Sequence, residues 1–361
     1  MANSRHLPLI SLLLACLLAL FPSVAVADSA TPEQSESSQQ SSCIQPLDSK
    51  SVESAAEWLV QYTGGDWAAT ASPSEKADAI LALVATNRGD ERADELTAQL
   101  MTDSAEITDP ASIAKVMIAI SASTSEEDEE AAAVIDTFAR TILATVNETG
   151  LFEVDYASAY TQSMAILALA RADMSVPSPM VDALYTFRSD DGSFGYSDGT
   201  AIVSDPDSTV LALMATRLLE VEPDANTTQT LELVSTSVTV DGYWDNFSPI
   251  NTTGLTISAL NEWDVSVPDN SLDWLVTQQL SSGAWPAALG GSDANFLATT
   301  QAMFGVMGAS YATVGTPICG ATSVFPPMSD SGSIWPLAIL IGWSVLVLGI
   351  GVWGIRRIAK S

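Results

Sequence analysis

A Gly-x-aromatic tripeptide recurs along this chain at a nearly fixed interval, and that recurrence restricts the fold more than any other feature. It occurs at Gly65-Asp66-Trp67, Gly150-Leu151-Phe152, Gly192-Ser193-Phe194, Gly242-Tyr243-Trp244 and Gly283-Ala284-Trp285. The steps are 85, 42, 50 and 41 residues, and the first covers two periods, with a degenerate unit at 92–125 filling the gap. Residues 180–219 display the unit in full. An amphipathic segment with Leu184 and Phe187 leads to the turn, a loop carries Asp205-Pro206-Asp207, and the segment 210–219 is apolar almost all round. A helix with one apolar stripe covers something, whereas a helix apolar on every side is itself covered. A period of this size marks a repeat architecture whose units bury their faces against their neighbours. Six outer–inner helix pairs are therefore expected. Besides the unit above they pair 51–62 with 74–84, 93–101 with 113–120, 130–146 with 163–170, a helix starting near 228 with 255–260, and 272–280 with 299–307.

Both ends of the chain read as targeting segments. Arg5 and His6 precede an apolar run at 7–20, and Ala25-Val26-Ala27 is a small-x-small cleavage site, so 1–27 is a secretory signal peptide. Residues 28–42 are rich in Ser, Gln and Glu without apolar period, which predicts a disordered leader. Residues 334–355 carry no charge and are long enough to cross a bilayer. Arg356, Arg357 and Lys360 follow, which puts a tail at 356–361 in the cytoplasm. A stalk at 320–333 joins this helix to a repeat domain at 43–319. The expectation is a single-pass type I protein of the cell membrane with the repeat domain outside.

Charge and cysteine usage narrow the partners. The 44 acidic residues lie outside the signal and the anchor, and only nine of the 13 basic ones do. Such a field repels nucleic acid and anionic headgroups, so no nucleic-acid partner is expected. Cys16 leaves with the signal, and Cys43 and Cys319 then bracket the repeats. In an oxidising compartment a closed ring would bring them together as a disulfide, with two unrelated thiols as the alternative.

The only histidine is His6, within the signal. Its loss removes imidazole general bases, His-ligated zinc and Ser-His-Asp triads, and leaves carboxylates as the acid–base groups. No metal or cofactor is expected. Asp205 and Asp207 read in two ways. Asp205 can cap a helix with Pro206 at its first position and Asp207 facing the positive end of the dipole. Alternatively the pair displays carboxylates to a ligand, and Asp155, Asp245 and Asp293 occupy comparable places in other units. The connections 153–160, 196–207, 246–253 and 286–295 are long and polar, and in a closed ring they crowd one mouth, where binding usually resides. Gln is not a favoured cap, so Gln162 and Gln301 are the better candidates for facing a cavity. The expected ligand-binding set is Asp155, Tyr160, Gln162, Tyr196, Asp205, Asp207, Asn251, Asn295 and Gln301. A rim of hydroxyls, amides and free N–H groups suits a ligand rich in carbonyls or amides. Phe152, Phe194, Trp244 and Trp285 either wall that site or wedge between units as core.

Gly-x-Trp and Gly-x-Phe turns at this period, each followed by a polar loop and an apolar Ala/Leu helix, resemble the repeats of squalene cyclases and protein prenyltransferases over 43–319. The resemblance implies an all-α chain forming an α/α toroid of six hairpins in two concentric rings. Asp205-Pro206-Asp207-Ser208-Thr209 looks like the cyclases' Asp-x-Asp-Asp-Thr acid motif, with Asp207 at the proton-donating position and Ser208 in place of the last aspartate. The prenyltransferase zinc ligands cannot be assembled here without histidine. A single toroid on a secreted chain is most similar to the transcobalamin and intrinsic factor branch, which binds corrinoids without chemistry; the small β domain of that branch has no counterpart in the sequence after Gly315. That likeness implies a non-catalytic surface receptor for a bulky small molecule, with a corrinoid as the ligand suggested and a transporter of the same membrane as partner. Two enzymatic alternatives stand beside it. One is a terpene cyclase using Asp207 with Asp205 as general acid. The other is a carbohydrate-active enzyme using carboxylates such as Asp155 and Asp207 on cell-wall glycan.

Overall fold

The computed structural model describes residues 43–103, 107–154, 157–219 and 223–319. The expected signal peptide, leader, stalk, membrane span and tail lie outside the described residues. Among the described residues no helix is long and apolar enough to cross a membrane.

Six inner helices form a closed ring: α3 (Pro73–Thr86), α5 (Pro110–Ser123), α7 (Ala159–Arg171), α9 (Pro206–Leu218), α11 (Pro249–Glu262) and α13 (Phe296–Met307). Each packs on the next, and α13 returns to α3. Six outer helices cover them: α1 (Ser49–Tyr62), α4 (Asp90–Asp103), α6 (Glu129–Ala144), α8 (Ser178–Tyr185), α10 (Ala225–Thr236) and α12 (Ser271–Thr277). A short helix α2 (Asp66–Thr70) lies in the first connection. The division follows the apolar pattern. Helix α5 buries every residue from Ile113 to Ile120, whereas α6 buries only Ala131, Phe138, Ala139 and Ile142 along one stripe.

Inner helices start at strong caps. Ser72, Asp109, Ser158, Asp205 and Asn295 each accept a backbone N–H from three residues on, and Pro follows the cap in α3, α5, α9 and α11. The repeat turns lock neighbouring units together. At Gly150 (φ +84°) a Cβ would come within 1.9 Å of the Pro179 carbonyl oxygen beside α8, and at Gly283 (φ +93°) within 2.1 Å of Ser54 O on α1. The second contact crosses the seam of the ring. The aromatic residues behind these turns serve as core: Phe152, Phe194, Trp244 and Trp285 are all buried. Trp244 and Trp285 donate their backbone N–H to Thr253 and Thr299 at the start of the inner helix, and their indole N–H to Val234 and Leu275 carbonyls of the outer one.

Two expectations need correction. Gly65-Asp66-Trp67 is not a repeat turn: a Cβ at Gly65 would touch nothing, and Trp67 is only half-buried, packed on Tyr62 and Phe296 at the start of α2. Four tripeptides, not five, keep the period. Nor is the chain wholly helical. Strands β1 (Gly195–Ser197) and β2 (Ile202–Ser204) pair antiparallel, with Tyr196 opposite Val203. They are joined by the four-residue loop 198–201, with Gly199 at φ +90° and Asp198 Oδ1 accepting the N–H groups of Thr200 and Ala201. The fourth connection is long enough to fold back on itself.

The ends of the ring differ. Beyond α13, residues 308–314 turn into the bore at the C-terminal ends of the inner helices. Arg171 donates to the carbonyls of Ala312 and Val314, Asn261 to that of Gly308, and Ser310 Oγ to Glu262. Burial pushes the Glu262 carboxyl up to about 7, against the opposing pull of Ser310, Arg217 and Arg171. Cys43 and Cys319 form the expected disulfide, with Cα atoms 5.0 Å apart. Ile44 runs parallel to Ile318, and Leu47 and Asp48 donate to Val306 O, so the disulfide fastens this closed end.

Candidate functional site

The opposite end, where the inner helices begin, is open and contains a cavity of about 720 Å³, within the range of small-molecule sites. Its lining follows a rule of position. Ala111, Tyr160, Asp207 and Leu297 stand two residues past the caps of their helices; Thr161, Ser208 and Asn251 stand three past; Lys115, Leu211 and Gln301 stand six past. At a rise of 1.5 Å per residue, the last set forms a layer roughly 9 Å below the rim. Tyr311, reaching in from the closed end, also lines the cavity.

On the wall, Asp205 accepts the backbone N–H of Ser208 at 2.9 Å, so it is a helix cap that also faces the cavity. Asp207, in the first turn of α9, is a partly buried carboxylate that also reaches the next helix. It accepts Thr252 Oγ1–H at 2.6 Å from the neighbouring inner helix, and Asn246 bridges Thr252 and Asp205. Burial raises its carboxyl to about 6; the Thr252 hydrogen bond opposes the rise and the Asp205 charge adds to it.

At the floor Lys115 Nζ lies 3.0 Å from Asp78 Oδ2, both residues 6 % exposed. Burial alone would discharge the lysine, but the Asp78 carboxylate, by its charge and its hydrogen bond, outweighs it and holds the ammonium protonated. Burial likewise pushes the two tyrosine hydroxyls up, so both stay neutral donors.

Of the residues expected from sequence, Tyr160, Tyr196, Asp205, Asp207, Asn251 and Gln301 share this cavity. Gln162 does not: its Nε2 donates to Gly150 O and Met180 O, both at 2.9 Å, tying a repeat turn to the next outer helix. Asn295 does not either, because its side chain caps α13 through Ala298 N–H at 2.9 Å. Asp155 lies outside the described residues. Sequence reasoning missed Asp109, Asp78, Lys115 and Tyr311. The available signal was a lysine six residues past a cap in an otherwise apolar helix, level with Asp78, which is six past Ser72. Among the described residues no group of three or more His, Cys, Asp or Glu side chains is placed to hold a metal ion.

No family model matches the chain, and no curated protein matches it. Solved structures do. Haptocorrin in complex with Cbi superposes with a TM-score of 0.56 at 13% identity, over 78% of this chain and 72% of that one. The α-1,6-mannanase GH76A of Salegentibacter sp. gives 0.57 at 12% identity, over 73% and 98%. The type II terpene cyclase MstE of Scytonema gives 0.53 at 12% identity, over 72% and 96%. All three are rings of helical hairpins closed as here. The chain has the α/α toroid fold. Identities this low carry the fold alone, so the toroid's function has to be argued from its own cavity.

Proposed function

We propose that this protein is a membrane-anchored extracellular binding protein whose toroid mouth captures a bulky small molecule, with a corrinoid as the first candidate. The observation that carries the reading is how the cavity's charged groups are used. Asp109 and Asp205 cap helices, Asp78 neutralises Lys115, and Asp207 holds Thr252, so each already serves the fold. Among the described residues the cavity contains no histidine and no thiol, and no nucleophile is set against a base. A mixed lining of tyrosines, leucines, hydroxyls and amides is a recognition surface. Haptocorrin, with the same fold, is a corrinoid binder by its Cbi complex, which makes corrinoids the ligands to try first. Cys43 and Cys319 sit at the closed end, so a chain leaving the toroid there toward an anchor would turn the open mouth away from the membrane, as suits capture from outside. Calorimetric titration with cobinamide and cobalamins tests the assignment; absence of heat at high micromolar ligand would remove it.

One observation favours a second reading. Asp207 is a buried carboxyl in the cavity wall with its proton affinity raised to about 6, as a general acid requires. A cyclase of this kind would convert squalene or oxidosqualene, and Asp207→Asn would abolish the product; unchanged substrate with the wild-type protein dismisses it. The glycosidase reading has less behind it. The mannanase structure is of a variant inactivated at two consecutive aspartates, and this chain's one such pair, Asp190-Asp191, lies in the Gly192 turn, outside the cavity.

A further inference from the structure

The layer six residues past the caps is split by chemistry. Going round the ring from the sixth unit, Gln301, Asp78 and Lys115 supply a polar half, and Met164, Leu211 and Gly254 an apolar half. On the polar side Lys115 donates to Asp78 and to the Tyr160 hydroxyl, retains one further N–H, and borders the cavity. Across from it, Gln301 Oε1 is buried and has no hydrogen-bond partner among the described residues, although Gln301 lies beside the Tyr311 hydroxyl. A buried carbonyl oxygen without a donor is destabilising, and a ligand N–H would satisfy it. We infer that this half of the floor is a subsite for a neutral primary carboxamide, its oxygen accepting from Lys115 and its NH₂ donating to Gln301 Oε1. The inference rests on the binding reading above and sharpens it to a ligand that ends in such a group.

The alternatives fail on charge or on valence. A carboxylate can accept from Lys115 but has no proton for Gln301, and it would add an anion to a bore already holding Asp78 and Asp207. An ammonium can donate to Gln301 but would sit against the Lys115 cation. A tertiary amide has the oxygen and lacks the N–H. A neutral group with a donor and an acceptor on the same carbon satisfies both sides, and Leu211, Leu255 and Leu297 in the lining accommodate a hydrocarbon body attached to it.

The test uses four cyclohexane probes of similar size: the primary carboxamide, its N,N-dimethyl analogue, the carboxylate and the aminomethyl cation. Each is titrated into the full-length protein and into Gln301→Leu, and binding is read from the methyl resonances of Leu211, which lines the cavity in the same layer. The primary carboxamide should bind about tenfold more tightly than the other three, and Gln301→Leu should erase that margin without lowering the melting temperature or the dimethylamide affinity. Equal or tighter binding of either ion, no response to the carboxamide, or an undiminished margin in a folded Gln301→Leu would overturn the subsite. Corrinoid calorimetry separates the two claims. Silence toward cobinamide with amide selectivity intact removes the corrinoid alone, whereas cobinamide heat without amide selectivity removes the subsite alone.

Discussion

Replacing Lys115 with methionine tests whether the floor of the bore is built as described. The substitution keeps most of the side-chain volume and removes the ammonium, leaving the Asp78 carboxylate inside the ring without a cation and with the Glu75 charge one turn away. Both partners are 6 % exposed, so solvent screens the pair little. Breaking a buried pair by removing one member costs about 3–5 kcal/mol, because the remaining charge has no compensation. Asp78 limits that cost by taking up a proton, since burial already holds its carboxyl above the ordinary range. About 3 kcal/mol at neutral pH is therefore expected for Lys115→Met. The Asp78→Asn, Lys115→Met double variant has no orphan charge and should lose only about 1–2 kcal/mol, giving a coupling near the upper end for contacting residues. Urea unfolding with the disulfide intact measures the double variant and the two singles, Lys115→Met and Asp78→Asn. The single variant should also recover stability as pH falls, because a carboxyl whose folded pKa exceeds its unfolded value stabilises the folded state in its protonated form. Additive losses, with the double variant as unstable as the two singles combined, would refute the paired floor.

Glu262, raised from 4.5 to about 7, should favour the folded state most below pH 4.5 and progressively less up to pH 7, by roughly 3 kcal/mol in all; Glu262→Gln should flatten the unfolding free energy across that window. Gly283→Ala places a methyl 2.1 Å from Ser54 O at a positive φ and should cost about 3–4 kcal/mol, whereas Gly65→Ala meets no neighbour and should cost only its backbone strain, about 1–2 kcal/mol; thermal melts of the two compare them directly. Cys43→Ser with Cys319→Ser opens a loop spanning 276 residues and should lose about 5 kcal/mol on the chain-entropy account, read as a shifted urea midpoint. Asp207→Asn should leave carboxamide and corrinoid affinity within about threefold between pH 5 and 8, because Asn can still accept from Thr252; a larger loss in binding assays would make Asp207 a direct ligand contact.

The ring was legible because its signals are local and repeated. A capping residue and a run apolar on all sides identify each inner helix, four of them with a proline after the cap, and a glycine at positive φ marks where one unit meets the next. Gly65 misled because the tripeptide pattern records composition and not contact: only the close approach of Pro179 or Ser54 shows why the other glycines are required. Gln162 and Gln301 were indistinguishable as glutamines near helix starts. One lies four residues past its cap and faces the next unit, the other lies six past and faces the bore. A shift of two residues on a helix rotates a side chain by some 200°, so register against the cap decides which wall it joins. Tyr311 was not legible, since nothing local says that the chain after α13 re-enters the ring.

Register against the caps also accounts for how so acidic a protein can favour an uncharged ligand. Six parallel inner helices point their N-termini at one mouth, each equivalent to roughly half a positive charge before capping. Asp109 and Asp205 at the caps and Asp207 in the wall supply three carboxylates against that positive field, while Asp78 cancels Lys115 below. The local balance therefore lies near zero although the whole chain carries −31. The caps also consume N–H groups that would otherwise be free to bind an anion. What remains for a ligand is the side chains two, three and six residues inside: tyrosines, leucines, hydroxyls, one amide oxygen without a donor and one ammonium with an N–H beyond those given to Asp78 and Tyr160. A site of that kind selects by hydrogen-bond pairing and shape, and an ion of either sign would disturb a balance the fold has already struck.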